Sequence, residues 1–338
     1  MLLDPETCEL SPGVYDVLEE TRGRALPGRL KTELFASVVE ITTEICRTAH
    51  EALDALRSLR AATAEAAVGR GLRIAAAGSH PTSPPALQEI AVEERYQSFV
   101  EYAGISARRQ GVSGLHVHVG MPDGETCYRV LEALLPWLPA ILAVSANSPY
   151  LCGAETGLFS CRAEVLATLP RSGAPPAVGS YEGWKGFVER LQRAGLPLTD
   201  DYRSFWWDIR PHPMYGTLEI RMPDQPTSVE RSAALAALLR NACAFFAAND
   251  APPVDPARRA DYVQNRWAAA RFGPRALLLH PDGERMASAE ELVVELVELT
   301  GAIDGLDAAT CEAERQLEVG RARGLGAAAA DLIARSVP

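Results

Sequence analysis

Lysine is almost absent from this 338-residue sequence. Only Lys31 and Lys185 occur, so nearly all the basic charge is arginine and few flexible ammonium groups are available to hold phosphate. A basic surface is missing too. The formal net charge of −11 argues against a nucleic acid or an anionic membrane as partner. The seven cysteines, at 8, 46, 127, 152, 161, 243 and 311, include no Cys-x-x-Cys pair. That spacing suits reduced thiols in a cytoplasm rather than a disulfide framework or a thiolate zinc site. No apolar run approaches the roughly 18 residues of a membrane span, and the opening MLLDPETCEL does not read as a secretory signal. Internal repeats are absent, and no linker separates two domains.

What is present is enough apolar residue, 47% of the chain, to bury one large core. The reading is a single domain over 1–338 with a helical C-terminal part from about 228. From Arg29 to Cys46 the pattern is extended, with Val39, Ile41, Thr43 and Ile45 alternating with Glu40, Thr42, Glu44 and Cys46. Thr48 and Glu51 make a capping box for a helix to about Gly69, followed by a short strand over Leu72–Ala77. Helices are expected over Glu89–Tyr102, over 124–145 with a break at Pro136 and Pro139, and over 181–194. Between them, the Gly-, Pro- and Ser-rich segment 146–180 reads as a functional loop or lid. Two strands, Ser204–Arg210 and Thr217–Met222, are joined by a turn at Pro211–Gly216. Thr227 and Glu230 make a second capping box, and helices are expected near 228–249, 255–272, 289–302, 307–320 and 325–336. Strands before 222 and helices after it indicate an α+β fold with a largely antiparallel sheet.

The chemistry concentrates on that sheet. In Gly111-Val112-Ser113-Gly114-Leu115-His116-Val117-His118-Val119-Gly120, alternation sends Leu115, Val117 and Val119 to one face. His116 and His118 leave from the other, about 7 Å apart. Leu218-Glu219-Ile220-Arg221-Met222-Pro223-Asp224 repeats the design with Glu219 and Arg221, and Trp206-Trp207-Asp208-Ile209-Arg210 with Asp208 and Arg210. Glu40 and Glu44 share a face of the first strand. Glu33 precedes Glu40 by an odd number of residues, so only a bulge or break brings the two together. A sheet with one wet face is the commonest antiparallel design. Here, however, the wet face carries carboxylate, imidazole and guanidinium, the groups that ligate hard cations and clamp phosphates. Two carboxylates about 4 Å apart repel by roughly 4 kcal/mol at an effective dielectric near 20, so such a cluster calls for a cation.

These stretches, with Lys31-Thr32-Glu33-Leu34 and Ser145-Ala146-Asn147-Ser148-Pro149, resemble the bacterial carboxylate-amine ligase family, also called glutamate–cysteine ligase type 2. The similarity runs in the family's order over roughly residues 1–250, and the H-V-H and E-I-R-x-P-D elements also resemble glutamine synthetase. The resemblance implies a glutamine synthetase-like antiparallel funnel in which ATP phosphorylates a carboxylate, such as the γ-carboxylate of glutamate, and an amine, such as that of cysteine, displaces the phosphate. It implies Glu33, Glu40, His116 and Glu219 as ligands of Mg²⁺ or Mn²⁺, with His118 nearer the nucleotide phosphates. Arg221, with Arg210 and Arg162, would grip the transferring phosphoryl group. The partners it implies are small molecules, and a homo-oligomer stays open. Family members begin with a strand reading roughly G-V-E-E-E-F ahead of the segment similar to Leu2–Thr7. The expectation without that strand is an open sheet edge, weak Mg²⁺ binding and little ATP turnover. Two other readings stand beside this one: a non-catalytic homologue binding nucleotide or amino acid, and a guanidino phosphotransferase.

Overall fold

The computed structural model describes residues 1–200, 202–249 and 256–337. The chain opens with β1 (Leu2–Leu3) and α1 (Val14–Glu20), then a hairpin of β2 (Gly28–Thr32) and β3 (Val39–Thr43). Next come α2 (Ala49–Gly69), β4 (Arg73–Ile74), α3 (Glu94–Ala103), α4 (Ile105–Arg108) and β5 (Val117–Gly120). The middle of the chain holds α5 (Gly124–Leu134), α6 (Leu138–Ser145), β6 (Tyr150–Leu151), β7 (Ala154–Glu155), α7 (Cys161–Leu166) and α8 (Tyr181–Arg193). A hairpin of β8 (Ile209–His212) and β9 (Thr217–Ile220) leads to α9 (Val229–Ala248) and α10 (Arg258–Phe272). The rest is a hairpin of β10 (Leu277–Leu279) and β11 (Met286–Ser288), then α11 (Ala289–Thr300), α12 (Glu312–Arg323) and α13 (Leu325–Ser336).

The α+β expectation holds, and the ladders are antiparallel. They form separate short ribbons rather than one sheet, and the central one has the order β5–β9–β8. Its rear face carries Ile209, Leu218 and Ile220, all fully buried against α5, α6, α9, α10 and α11. Burying each such side chain stabilises by about 1.5–3 kcal/mol. This apolar face fixes the register, because a slip of one residue would bring these three side chains out and the charged ones in. The β2–β3 hairpin stands apart, and no ladder joins it to β5 among the described residues.

Several local expectations need correction. The extended run 29–46 is broken at residues 33–38 into a hairpin, and pairing stops at Thr43, leaving Ile45 97% exposed. Thr48 does cap α2, but Glu51 reaches back to the Arg47 amide, one residue before the cap. The second cap is Ser228, whose hydroxyl accepts from the Arg231 amide, while Thr227 is buried. Residues 146–180 are not a structureless lid: β6, β7 and α7 lie inside them, with Ser148 and Ser160 bonded to the buried Asp224. Trp206 to Asp208 precede the ladder instead of joining it, and β10–β11 was not foreseen. Residue 255, the expected start of α10, lies outside the described residues. The break near Pro136 is real and takes the form of a single 3₁₀ turn. By length and composition the Gly124–Ser145 stretch suffices to cross a membrane, contrary to the apolar-run count, but 83% of its apolar window is buried inside the protein.

His80 shows how tightly the loop after β4 is held. Its Nδ1 accepts from the Thr82 and Ser83 amides at 3.3 and 3.0 Å, and Nε2 meets the Cys8 carbonyl at 3.0 Å. Burial lowers its pKa to about 4. Below its ordinary value near 6.5 the unfolded chain takes up the proton first, so stability falls as the pH drops from 6.5 towards 4. Urea unfolding at pH 7 and pH 5 should show a loss of about 2 kcal/mol from this group. In His80→Leu, the pH-dependent part should shrink by that amount although the starting stability is lower. An unchanged pH dependence would mean that folding does not shift the pKa of His80.

Candidate functional site

A cleft of about 2230 Å³ opens over the front face of the central ribbon, bounded by β5 on one side and the β2–β3 hairpin on the other. Register builds its floor. His118 pairs with Glu219, and Glu219 with Arg210, so these three form one row across the strands. Val117 pairs with Ile220, which sets His116 opposite Arg221 in the next row. The alternation read from the sequence is therefore realised on β5 and β9.

Glu219 is the hub of that floor. Its Oε2 accepts from Arg210 Nε at 2.8 Å and its Oε1 from Arg221 Nη1 at 2.5 Å. His116 Nδ1 and His118 Nε2 lie 3.9 and 3.8 Å from Oε1. The carboxylate is 3% exposed. Burial alone would raise its pKa, but Arg221 and Arg210 overrule it and hold the group well below its ordinary value. The pKa of His116 is held well below its usual value by desolvation at the cleft floor, where the side chain is 38% exposed, and then by Arg221, whose Nη1 approaches Nδ1 at 3.3 Å. Burial also lowers the pKa of His118, against the pull of Glu219. Its Nδ1 bonds the Thr217 hydroxyl at 2.9 Å. Both imidazoles are thus neutral at pH 7, and Arg221, whose side chain is 16% exposed, is the cation that the floor offers to the cleft.

Glu33 and Glu40 belong to the opposite wall. Glu40 faces Lys31 across the hairpin, with Nζ at 3.4 Å. Glu33 follows β2 at the break, and its carboxylate folds back onto the Leu34 amide. Its pKa is raised by burial first and by Glu40 as well. The break therefore does bring these two within electrostatic reach. Yet no group of three or more His, Cys, Asp or Glu converges on one point among the described residues. Glu33 is near enough to Arg221 to feel its charge, and both oxygens of Glu219 already hold arginines. The expected ligand set is therefore not assembled, and its side chains do not fit a resident metal in this arrangement.

Two other expected cleft groups turn inward. Arg162 is 3% exposed, and its Nη1 and Nη2 donate to the Met222 and Arg221 carbonyls at 2.8 and 2.9 Å, with Asp224 3.7 Å away. Burial lowers its pKa to about 10, which leaves it charged at pH 7. Its contacts hold the backbone that carries Arg221. Asp208 is 2% exposed and faces the Tyr262 hydroxyl and Arg266 Nε at 2.8 and 2.7 Å. It belongs to the joint between β8 and α10, not to the cleft.

Sequence reasoning missed the network behind the site. Asp224 is fully buried and accepts from the Asn147 amide and the Ser148 and Ser160 hydroxyls. Glu312, at the start of α12, accepts from the Thr227 and Ser228 amides at 2.6 and 3.0 Å. Gln316 and Asn147 join the two halves, Gln316 Nε2 donating to Asn147 Oδ1 at 2.7 Å. The sequence signals were the short polar residues at Ser145–Pro149 and the aspartate that ends Leu218–Asp224, both marked by the resemblance without a role.

The chain matches the model of the Glutamate-cysteine ligase family 2 over residues 3–334. It is 42% identical over 296 residues to a protein of Rubrobacter xylanophilus named "Putative glutamate--cysteine ligase 2-3", covering 88% of this chain and 80% of that one. A Herpetosiphon aurantiacus protein named "Putative glutamate--cysteine ligase 2" is 37% identical over 301 residues, covering 88% and 77%. Among solved structures, a glutamate–cysteine ligase of Francisella tularensis in complex with AMP superposes with a TM-score of 0.73, covering 100% of this chain and 86% of that one. At 13% identity that likeness speaks for the fold.

The hub gives a direct test. Glu219→Gln leaves two guanidinium groups facing one another without a countercharge, and unpairing a buried ion costs about 3–5 kcal/mol. Chemical denaturation should show a loss of that order, against under 1 kcal/mol for Glu44→Gln at the rim. A loss below 1 kcal/mol would mean that Arg210 and Arg221 do not depend on Glu219.

Proposed function

We propose that this chain, which belongs to the Glutamate-cysteine ligase family 2, joins a carboxylate to an amine at the expense of ATP, with glutamate and an amino acid such as cysteine as the pair to test first. The observation that carries the reading is Arg221, a cation at the bottom of a large cleft, held in place by Glu219 in front and by Arg162 behind.

In such a reaction a carboxylate oxygen attacks the γ-phosphorus and the bond to the β,γ-bridging oxygen breaks, giving an acyl phosphate and ADP. The amine nitrogen then bonds to the acyl carbon, phosphate departs with the carbon–oxygen bond electrons, and the proton lost by the amine passes to phosphate or water. Neither step requires a covalent bond to the protein. Both need positive charge and hydrogen-bond donors where negative charge accumulates. Arg221 supplies both, while Arg210 sits behind Glu219 and fixes the hub. His116 and His118, kept neutral, do not compete with the substrates for Glu219 and offer hydrogen bonds instead of charge. Glu33 and Glu40 give the opposite wall negative charge, which suits the ammonium group of an amino acid. Because the expected metal donors are not assembled, no step is routed through a resident metal. Magnesium enters this reading as part of the MgATP substrate.

The test is ADP release. It should require a carboxylate and an amine together, with amide product in equal amount. Arg221→Met, assayed at a temperature where the variant remains folded, should lower kcat/KM by roughly 10²–10³-fold, the range seen on removing one donor to developing charge, and melting should fall as well because one oxygen of the buried Glu219 loses its partner. ADP formed at the same rate without an amine would rule out the ligase reading. Transfer of phosphate to a guanidine would replace it with the phosphotransferase.

A further inference from the structure

The turn between β8 and β9 carries a feature that the floor of the cleft does not explain. Tyr215 is 68% exposed and Met214 77%, yet both line the cleft. The Tyr215 ring is not loose. It stacks on His212 with centroids 4.3 Å apart and planes 6° from parallel. His118 stands edge-on to both rings, 5.8 Å from Tyr215 and 5.5 Å from His212. The Thr217 hydroxyl in turn holds His118. The backbone is fixed as well, by Tyr215 N–H to the His212 carbonyl at 3.1 Å, Gly216 at φ 62° and Met121 N–H to the Gly216 carbonyl at 3.0 Å. One face of the tyrosine is covered by imidazole and the other is open to the cleft.

The geometry points to the open face of Tyr215 as the platform for the purine base of the nucleotide. Three observations argue for a base over another flat group. A rigid, backed aromatic ring loses little side-chain entropy when a second ring stacks on it. Thr217 and Glu219 on β9 and Arg221 just after it then alternate to one side, and the four residues from Thr217, two places beyond the platform, to Arg221 span about 13 Å. That matches the distance over which an extended nucleoside triphosphate separates its base from its terminal phosphate. Finally, the group met on moving inward from the platform is cationic, Arg221, as polyphosphate requires. The acidic pair Glu33 and Glu40 occupies the other wall and leaves that side to the amino acid substrates. The assignment rests on the ligase reading for the direction of the phosphates, but the stacking itself requires only a nucleotide.

Two probes separate base from phosphate: ADP, and inorganic tripolyphosphate, which carries no base. Calorimetric titration of the full chain should show Tyr215→Ala weakening ADP by roughly tenfold or more, the scale of one base–aromatic stack, with tripolyphosphate unmoved. Tyr215→Trp and Tyr215→Phe should keep ADP affinity near the parent's. In turnover, Tyr215→Ala should raise KM for ATP and leave KM for the amino acids alone. Equal losses for the two probes, no loss for either, or no ADP binding by the parent would overturn the platform. Tyr215-dependent ADP binding without any ligation would sink the ligase reading and keep the platform. Ligation with an unmoved KM for ATP in Tyr215→Ala would do the reverse.

Discussion

The structure depends on one carboxylate. Glu219 lies under the cleft at 3% exposure, where an unpaired charge would be costly, and Arg210 and Arg221 take one oxygen each. At a separation near 4 Å each pair gains roughly 4 kcal/mol at an effective dielectric near 20, against the cost of withdrawing the ions from water. The three side chains together carry a charge of +1. That surplus sits on Arg221, the member nearest solvent, and it explains why a protein with a net charge of −11 still offers an anion a place to bind. The histidines stay neutral chiefly because desolvation disfavours their charged form, and the arginines add to that against the pull of Glu219.

The hub is positioned from behind. Leu218 and Ile220 alternate with Glu219 and Arg221, so the core that buries the first pair sets the orientation of the second. Arg162 fixes the carbonyls of Arg221 and Met222, and Asp224 fixes Arg162 and the loop at Asn147–Ser148. Glu312 and Gln316 bring α12 into the same network. The C-terminal helices therefore brace the site without reaching the cleft.

How much of this was legible follows the same division. Strand faces are a local property with a period of two, and the pairs His116/His118 and Glu219/Arg221 could be read directly. Whether a charged side chain faces a cleft or a neighbouring helix is not local. Asp208 shares its pattern with Arg210, but the ladder begins only at Ile209, and the backbone before it turns Asp208 towards Tyr262 and Arg266. Arg162 looked available because its partners are carbonyl groups, which carry no sequence signature. The hairpin break between Glu33 and Glu40 was legible only as an odd spacing. The distance between the hairpin and β5 depends on packing, and with it the question of whether four expected ligands meet.

That distance sets the character of the cleft. The two ribbons form separate ladders, and both line the cleft. Each wall has answered its charge locally, Glu40 with Lys31 and Glu219 with two arginines, since an unanswered cluster would repel itself. Under the proposed reading, Arg221 is the group that would meet phosphate, while Lys31 already answers the Glu40 carboxylate of the hairpin.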